Sequence, residues 1–150
     1  MKYVHTNIIS KNWKRLSTFY IDVFDCKIKP PRRNQSGKWL EQGTGVKNAS
    51  LEGVHLELPG YGEGGPTLEI YQYAEIDSMG DNTPNREGFG HIAFEVDSVE
   101  EIVEKIEEKG GKQYGRITKR KIEGVGEITF VYVKDPDGNF IEIQNWQLES

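Results

Sequence analysis

The sequence predicts an α+β protein of two βαβββ modules whose curved mixed sheets form a cup. Three observations carry this. A strand-like run, an amphipathic helix and three further strand-like runs follow one another twice along the chain. A histidine stands in the first strand of each copy (His5, His91) and a glutamate in the last (Glu69, Glu142). Between the copies lies a stretch with Gly80, Asn82, Pro84, Asn85 and Gly88, and no hydrophobic period. Repetition at this level signals duplicated units packed about a pseudo-two-fold axis. Within a single domain the first module is placed at 1–75, a linker at 76–87 and the second module at 88–150.

Each element has its own signal. Tyr3 to Ser10 is strand-like, with the β-branched residues Val4, Thr6, Ile8 and Ile9. Asn12 caps a helix running to about Phe24, whose apolar residues Trp13, Leu16, Phe19, Tyr20, Val23 and Phe24 recur at three- and four-residue steps. Cys26 to Lys29 is a short strand stopped by Pro30-Pro31. The polar, Gly-containing residues 32–49 are expected to be a loop, open to motion. Leu51 to Leu58 is a strand, 59–66 a Gly/Pro turn segment, and Thr67 to Tyr73 the next strand. In the second copy Phe89 to Val96 is a strand. Ser98 caps a helix, with Glu101 three residues on as in a capping box, and Val99, Ile102, Val103 and Ile106 as the apolar stripe. Gly110-Gly111 ends that helix. Lys112 to Gly115 is a short strand, Ile128 to Val133 a strand, Asp135-Pro136-Asp137-Gly138 a tight turn, and Phe140 to Asn145 the last strand.

Composition narrows the function. At 35% hydrophobic and 29% charged, the chain falls with folded soluble proteins rather than disordered ones. A formal net charge of -5 argues against a nucleic acid or an anionic membrane as partner, because phosphate binding needs a basic face. The run Lys119-Arg120-Lys121, followed by Glu123, reads as a solvated loop. Cys26 is the one cysteine, so no intramolecular disulfide forms, and no histidine flanks it to make a nucleophile. No apolar run nears the roughly 18 residues of a membrane span, and no signal-peptide core opens the chain, so a cytoplasmic location is expected.

Side chains alternate faces along a strand. Ile92, Phe94 and Val96 form a face for the helix, which leaves Phe89, His91, Ala93 and Glu95 on the other. Ile141 and Ile143 oppose Phe140, Glu142 and Gln144, and Leu68 and Ile70 oppose Thr67, Glu69, Tyr71 and Tyr73. In the first strand Thr6 and Ile8 match the helix face while His5 and Asn7 face away. His55 and Glu57 share a face opposite Val54, Leu56 and Leu58, which nominates them, with Tyr71, Phe89, Phe130 and Tyr132, as lining of the cup.

Two imidazoles and two carboxylates neutralise a divalent cation and suit zinc, nickel, manganese or iron(II). Four protein donors on an octahedral ion leave two positions for a substrate with vicinal oxygens, whose enediolate the metal stabilises after loss of an adjacent C–H proton. A carboxylate at the metal edge can take that proton. From the residues alone, ordinary structural histidines and solvated glutamates fit these positions as well as a metal site does. The matched placement of all four is what favours the metal.

The stretches Val4-His5-Thr6-Asn7, Ser17-Thr18-Phe19-Tyr20, Leu68-Glu69-Ile70, Gly88-Phe89-Gly90-His91-Ile92-Ala93-Phe94 and Asp135-Pro136-Asp137-Gly138-Asn139-Phe140-Ile141-Glu142 resemble the vicinal oxygen chelate superfamily, which includes glyoxalase I, methylmalonyl-CoA epimerase, extradiol dioxygenases and fosfomycin and bleomycin resistance proteins. The resemblance covers nearly the whole chain. It implies a glyoxalase-like fold, a homodimer, and one divalent metal ion held by His5, Glu69, His91 and Glu142. Glutamate at both acidic places is similar to glyoxalase I; dioxygenases of the family use three protein ligands, and epimerases usually carry Gln where Glu69 stands.

What the resemblance implies is a metal-dependent lyase or isomerase of the glyoxalase I type, with Glu142 as ligand and general base and Glu69 as ligand and second acid/base. The alternatives are an acyl-CoA epimerase using the same carboxylates and a non-catalytic drug- or metabolite-binding protein, with a dioxygenase after them. Two departures count against glutathione as part of the substrate. Asp22 stands where glyoxalase I carries a basic residue after the helix Phe-Tyr pair, and Ile70-Tyr71-Gln72-Tyr73 follows Glu69 where a Thr and an Asn are usual. Arg86, or Arg32, Arg33 or Lys38, offers a different anion site.

Overall fold

The structure is a computed structural model that describes residues 1–149. Its contacts divide into a unit at Met1–Ser78 and a unit at Met79–Ser150. In the first, the order is β1 (His5–Ile9), α1 (Trp13–Phe24), β2 (Lys27–Ser36), α2 (Lys38–Thr44), β3 (Ser50–Glu57) and β4 (Thr67–Tyr73). The sheet order is β1-β4-β3-β2, with β1 parallel to β4 and the other pairs antiparallel. In the second, β5 (Ile92–Glu95), α3 (Val99–Glu108), β6 (Lys112–Gln113), β7 (Thr118–Ile122), β8 (Gly126–Lys134) and β9 (Phe140–Leu148) follow one another. That sheet runs β5-β9-β8-β6, with β5 parallel to β9 and β7 also paired to β8. These mixed sheets with helices make an α+β fold.

Both long helices start as their caps dictate. The Asn12 side chain accepts from Arg15 N at 3.1 Å, and Ser98 Oγ from Glu101 N at 3.3 Å. Glu100 and Glu101 in the first turn of α3 also suit the positive end of its dipole. The stripe Trp13, Leu16, Phe19, Tyr20, Val23 and Phe24 is buried, as are Val54, Leu56, Leu68 and Ile70 of the sheet in the same unit. In the second unit Val99, Val103 and Ile106 are buried, with Val131, Val133, Ile141 and Ile143. Withdrawing these side chains from water is the main source of stability, at about 1.5–3 kcal/mol for each large aliphatic. One face of each sheet is thereby committed to its helix. The other face is left to carry His5, Asn7, His55 and Glu69, or Tyr132 and Glu142.

Several expectations need correction. Residues 32–49 are not all loop: β2 continues to Ser36 and α2 follows to Thr44, and only Gly37 and 45–49 lie outside helix and strand up to β3. The prolines interrupt the β2–β3 ladder without ending the strand. Pairing lapses after Lys29 and resumes at Arg33, across the two residues that have no N–H to give. The basic run 119–121 is exposed but lies in β7, paired to β8. The strand expected from Phe89 begins at Ile92, so Phe89 and His91 precede β5, and Phe89 is fully exposed. β6 stops at Gln113, β8 spans more than Ile128 to Val133, and β9 runs on to Leu148. Phe140 is buried although its parity is that of Glu142; it packs edge-on to Tyr114, their ring centroids 4.9 Å apart. Residues 74–91 contain no helix or strand. Among the described residues no helix is long and apolar enough to cross a membrane.

Candidate functional site

In the first unit the ladder sets the site. Parallel pairing brings Asn7 beside Glu69, and antiparallel pairing brings His55 beside Glu69 from the other side. The Glu69 carboxylate is buried at 7% residue exposure, between two strands that each offer it polar groups. His5 Nε2 lies 3.0 Å from Glu69 Oε1, and Asn7 Nδ2 donates to the same oxygen at 3.4 Å. Tyr71 donates its hydroxyl to Oε2 at 2.8 Å. His55 Nε2 lies 2.7 Å from Oε2 and 2.6 Å from the Tyr71 hydroxyl, closing a three-atom ring. Burial, above all, lowers the pKa of His55 against the opposing pull of Glu69. Burial, followed by the hydrogen bond to Glu69, raises the pKa of Tyr71 and keeps its hydroxyl a donor.

The second unit repeats the register. His5 is two residues before the partner of Glu69, and His91 is two residues before Ala93, the partner of Glu142. His91 Nε2 lies 3.1 Å from Glu142 Oε2. Tyr132 takes the position directly opposite Glu142 that His55 takes opposite Glu69. Its ring centroid is 4.7 Å from that of His91 and 6.4 Å from that of Phe130. Burial and the Glu142 charge raise the pKa of Tyr132.

Not every nominated residue joins these clusters. Glu57 is exposed one row away, opposite Thr67, and lines an open hollow of about 490 Å³ formed with Lys27, Lys29 and the 59–66 turn. Phe89 is fully exposed. The Arg86 guanidinium donates to the carbonyls of Met79 at 3.2 Å and Asp81 at 3.3 Å, so it already braces the segment before β5. Arg33, in β2, pairs across to Gly53, and its charge acts on both Tyr71 and His55. The residue absent from the candidate set is Asn7. Its shared parity with His5 was the available signal; its role depends on the register with Glu69.

The donor set is suited to a divalent cation in kind: imidazole nitrogens and carboxylate oxygens, with one carboxylate buried beside no Lys or Arg ion-pair partner among the described residues. Within the described residues no group of three or more His, Cys, Asp or Glu side chains stands in metal-coordinating arrangement. His5 and His55 instead each lie at hydrogen-bond distance from Glu69, one at either carboxylate oxygen.

A duplicated βαβββ chain with a His–Glu pair in each unit is the frame of one large class of proteins. The chain belongs to the Glyoxalase/Bleomycin resistance protein/Dioxygenase superfamily, whose family model matches residues 2–143. A lactoylglutathione lyase of Salmonella typhimurium is 29% identical over 145 residues, across 95% of this chain and 91% of its own. One from Schizosaccharomyces pombe is 27% identical over 152 residues, across 95% of this chain and 46% of its own. Among solved structures, a glyoxalase family protein of Bacillus cereus superposes with a TM-score of 0.75 at 18% identity, covering 97% of this chain and 93% of that one. A fosfomycin resistance protein of Listeria monocytogenes gives 0.58 at 17% identity, covering 99% and 94%. At these identities the structural likeness establishes the fold.

Proposed function

We propose that the protein is a metal-dependent lyase or isomerase of the glyoxalase I type, and that His5, Glu69, His91 and Glu142 supply the protein donors to one divalent cation. The observation that carries this reading is the repeated register: in each unit a histidine nitrogen lies 3.0 or 3.1 Å from a glutamate oxygen, at the same offset across a parallel strand pair. The names of the lactoylglutathione lyase relatives support the same reaction class. When bound, the cation supplies Lewis-acid stabilisation of charge on two vicinal substrate oxygens.

The chain supplies the rest. Glu142 removes the proton from the carbon next to the carbonyl and returns it to the neighbouring carbon. Glu69, the second acid/base, passes the hydroxyl proton from one substrate oxygen to the other, so both carboxylates end as they began and the reaction is an isomerisation with no net gain or loss. Phe130 and Tyr132 offer apolar surface beside Glu142 that excludes water from the reacting carbon. The substrate is a small molecule with adjacent oxygens, and the working form is a cytoplasmic homodimer. Glutathione is not assumed as its carrier, because Asp22 lies in α1 where a cationic contact would be needed.

The test combines metal analysis of the purified protein with turnover of α-ketoaldehyde hemithioacetals made from several thiols. Activity is expected to vanish with a chelator and return with a divalent cation. The Glu142→Gln variant is expected to keep most of its metal while losing at least about a hundredfold in kcat, within the range general-base catalysis supplies. Normal turnover by that variant would refute the role of Glu142, and a protein that takes up no divalent cation would refute the reading as a whole.

A further inference from the structure

The two oxygens of Glu69 are served by different sets of residues. Oε1 faces His5 and the Asn7 amide, while Oε2 is engaged by the Tyr71 hydroxyl and by His55 Nε2. We propose that His55 and Tyr71 are positioning residues that hold Oε2 of Glu69 and so present Oε1, beside His5, as the oxygen that faces the metal. The inference rests on the metal-site reading above and deepens it: His55 and Tyr71 serve a ligand rather than the substrate.

Packing supports a holding role. The Tyr71 ring lies against Gly53, where even a Cβ would come within 2.6 Å of its Cδ1. Tyr71 also packs on the buried cluster of Leu40, Ala49 and Leu51, so α2 backs the ring. A hydroxyl anchored this way presents its hydrogen bond at a fixed point, and His55 closes the ring of contacts from the neighbouring strand. The second unit lacks this arrangement. Opposite Glu142 stands Tyr132, and among the described residues His91 is the one hydrogen-bond partner of the Glu142 carboxylate. Gln144, at the offset from Glu142 that Tyr71 has from Glu69, instead accepts from Trp146 Nε1 at 3.3 Å. The asymmetry fits the proposed roles: Glu69 is held at both of its oxygens, and Glu142, with His91 as its one hydrogen-bond partner among the described residues, is the less restrained carboxylate and the one proposed to reach a substrate carbon.

Groups that orient a metal ligand typically alter metal affinity by tenfold to a hundredfold. The experiment is a titration of the full-length protein with Co(II) alone, followed by its visible absorption, for wild type and for His5→Ala, Tyr71→Phe, His55→Leu and His55→Gln. Tyr71→Phe and His55→Leu are expected to bind Co(II) about ten- to a hundredfold more weakly, with a changed d–d band and unchanged stoichiometry. His55→Gln, which keeps an N–H near the place of Nε2, is expected to bind within about threefold of wild type. If His55→Leu fails to fold by circular dichroism, the near-isosteric Tyr71→Phe decides. Wild-type affinity and spectrum in Tyr71→Phe and in His55→Leu, where it folds, would overturn the proposal. So would His55→Gln binding as weakly as His55→Leu, which would make His55 a donor to the metal itself. A wild type that takes up no Co(II), or one unaffected by His5→Ala, would overturn the metal-site reading, and this proposal with it.

Discussion

His55 and Glu69 stand directly across from each other on β3 and β4, with Nε2 2.7 Å from Oε2 in a setting where Glu69 is buried. The carboxylate therefore depends on its neighbours far more than Glu142 does. In Glu69→Gln the amide NH₂ must face either His5 and the Asn7 amide or His55 and the Tyr71 hydroxyl, and each side already offers donors. A mismatched buried polar group of this kind costs about 1–3 kcal/mol. Glu142→Gln disturbs one contact, to His91, and is expected to cost under about 1 kcal/mol. Urea denaturation of both variants in the presence of a chelator checks this, because metal binding to the native state would otherwise add its own stabilisation. Equal losses would contradict the difference in support between the two carboxylates.

Gly53 is required by a close approach of two backbones. A Cβ there would sit 2.1 Å from the Ile70 carbonyl oxygen and 2.6 Å from Tyr71 Cδ1. The oxygen belongs to the β3–β4 ladder and cannot turn aside as a flexible side chain would. Gly53→Ala is expected to lose about 1–3 kcal/mol, the usual cost of forcing extra atoms into a packed site, and to displace the Tyr71 ring. Denaturant titration reads the first effect. The second appears as weakened Co(II) uptake under the proposal for Tyr71, while a variant as stable as wild type would show the strands tolerating the extra carbon.

Much of this was legible in the sequence, and what was not has identifiable causes. Helices α1 and α3 announced themselves because cap and apolar stripe agree. Parity put His5, His55 and Glu69 on one face of their strands. It could not separate His55 from Glu57, because alternation fixes the face and leaves the row to inter-strand register. In the structure His55 falls opposite Glu69, and Glu57 falls opposite Thr67. The elements missed were those with little buried surface of their own. Strand β2 reads Lys-Ile-Lys-Pro-Pro-Arg-Arg-Asn-Gln-Ser and β7 reads Thr-Lys-Arg-Lys-Ile; both are mostly exposed, and pairing to β3 and β8 makes them strands. Helix α2 buries Leu40 alone, too little for a hydrophobic period to register.

Cys26 is buried, and burial, reinforced by Asp25, pushes its thiol pKa from 9.0 up to about 12. The native thiol is therefore expected to be inert to Ellman's reagent at pH 8 and to react once urea opens the fold, since the thiolate is the nucleophile. The sign of the pH effect follows from linkage. A group with a raised folded pKa contributes stability that is fully present below its unfolded value and is lost as pH rises through the folded one. Wild type should thus lose stability between pH 9.0 and about 12 more steeply than Cys26→Ala does. Denaturant midpoints of the two proteins across that range provide the comparison; parallel curves would place the thiol in a less restrictive setting.

The turn into β9 positions Glu142, and Asp135 organises that turn. Its carboxylate is buried and accepts from Asp137 N and Asn139 N, each at 2.9 Å, and from Asn139 Nδ2 at 3.1 and 2.9 Å. Asp135 N in turn donates to Asn139 O at 2.9 Å, so the side chain and the backbone close the same loop. Phe140, the next residue, is the first of β9 and lies two before Glu142. Asp135→Ala removes one acceptor group and leaves several donors without their partner, at a cost of about 2–4 kcal/mol given that hydrogen bonds to a charged group are worth about 1.5–3 kcal/mol. Asp135→Asn keeps one oxygen and is expected to recover part of the loss. Hydrogen exchange at the start of β9 should accelerate in Asp135→Ala more than at Val99–Glu108, because the turn opens before the helix does. Uniform acceleration across both segments would mean that the turn and α3 unfold together, and that Asp135 stabilises the unit as a whole rather than the approach to Glu142.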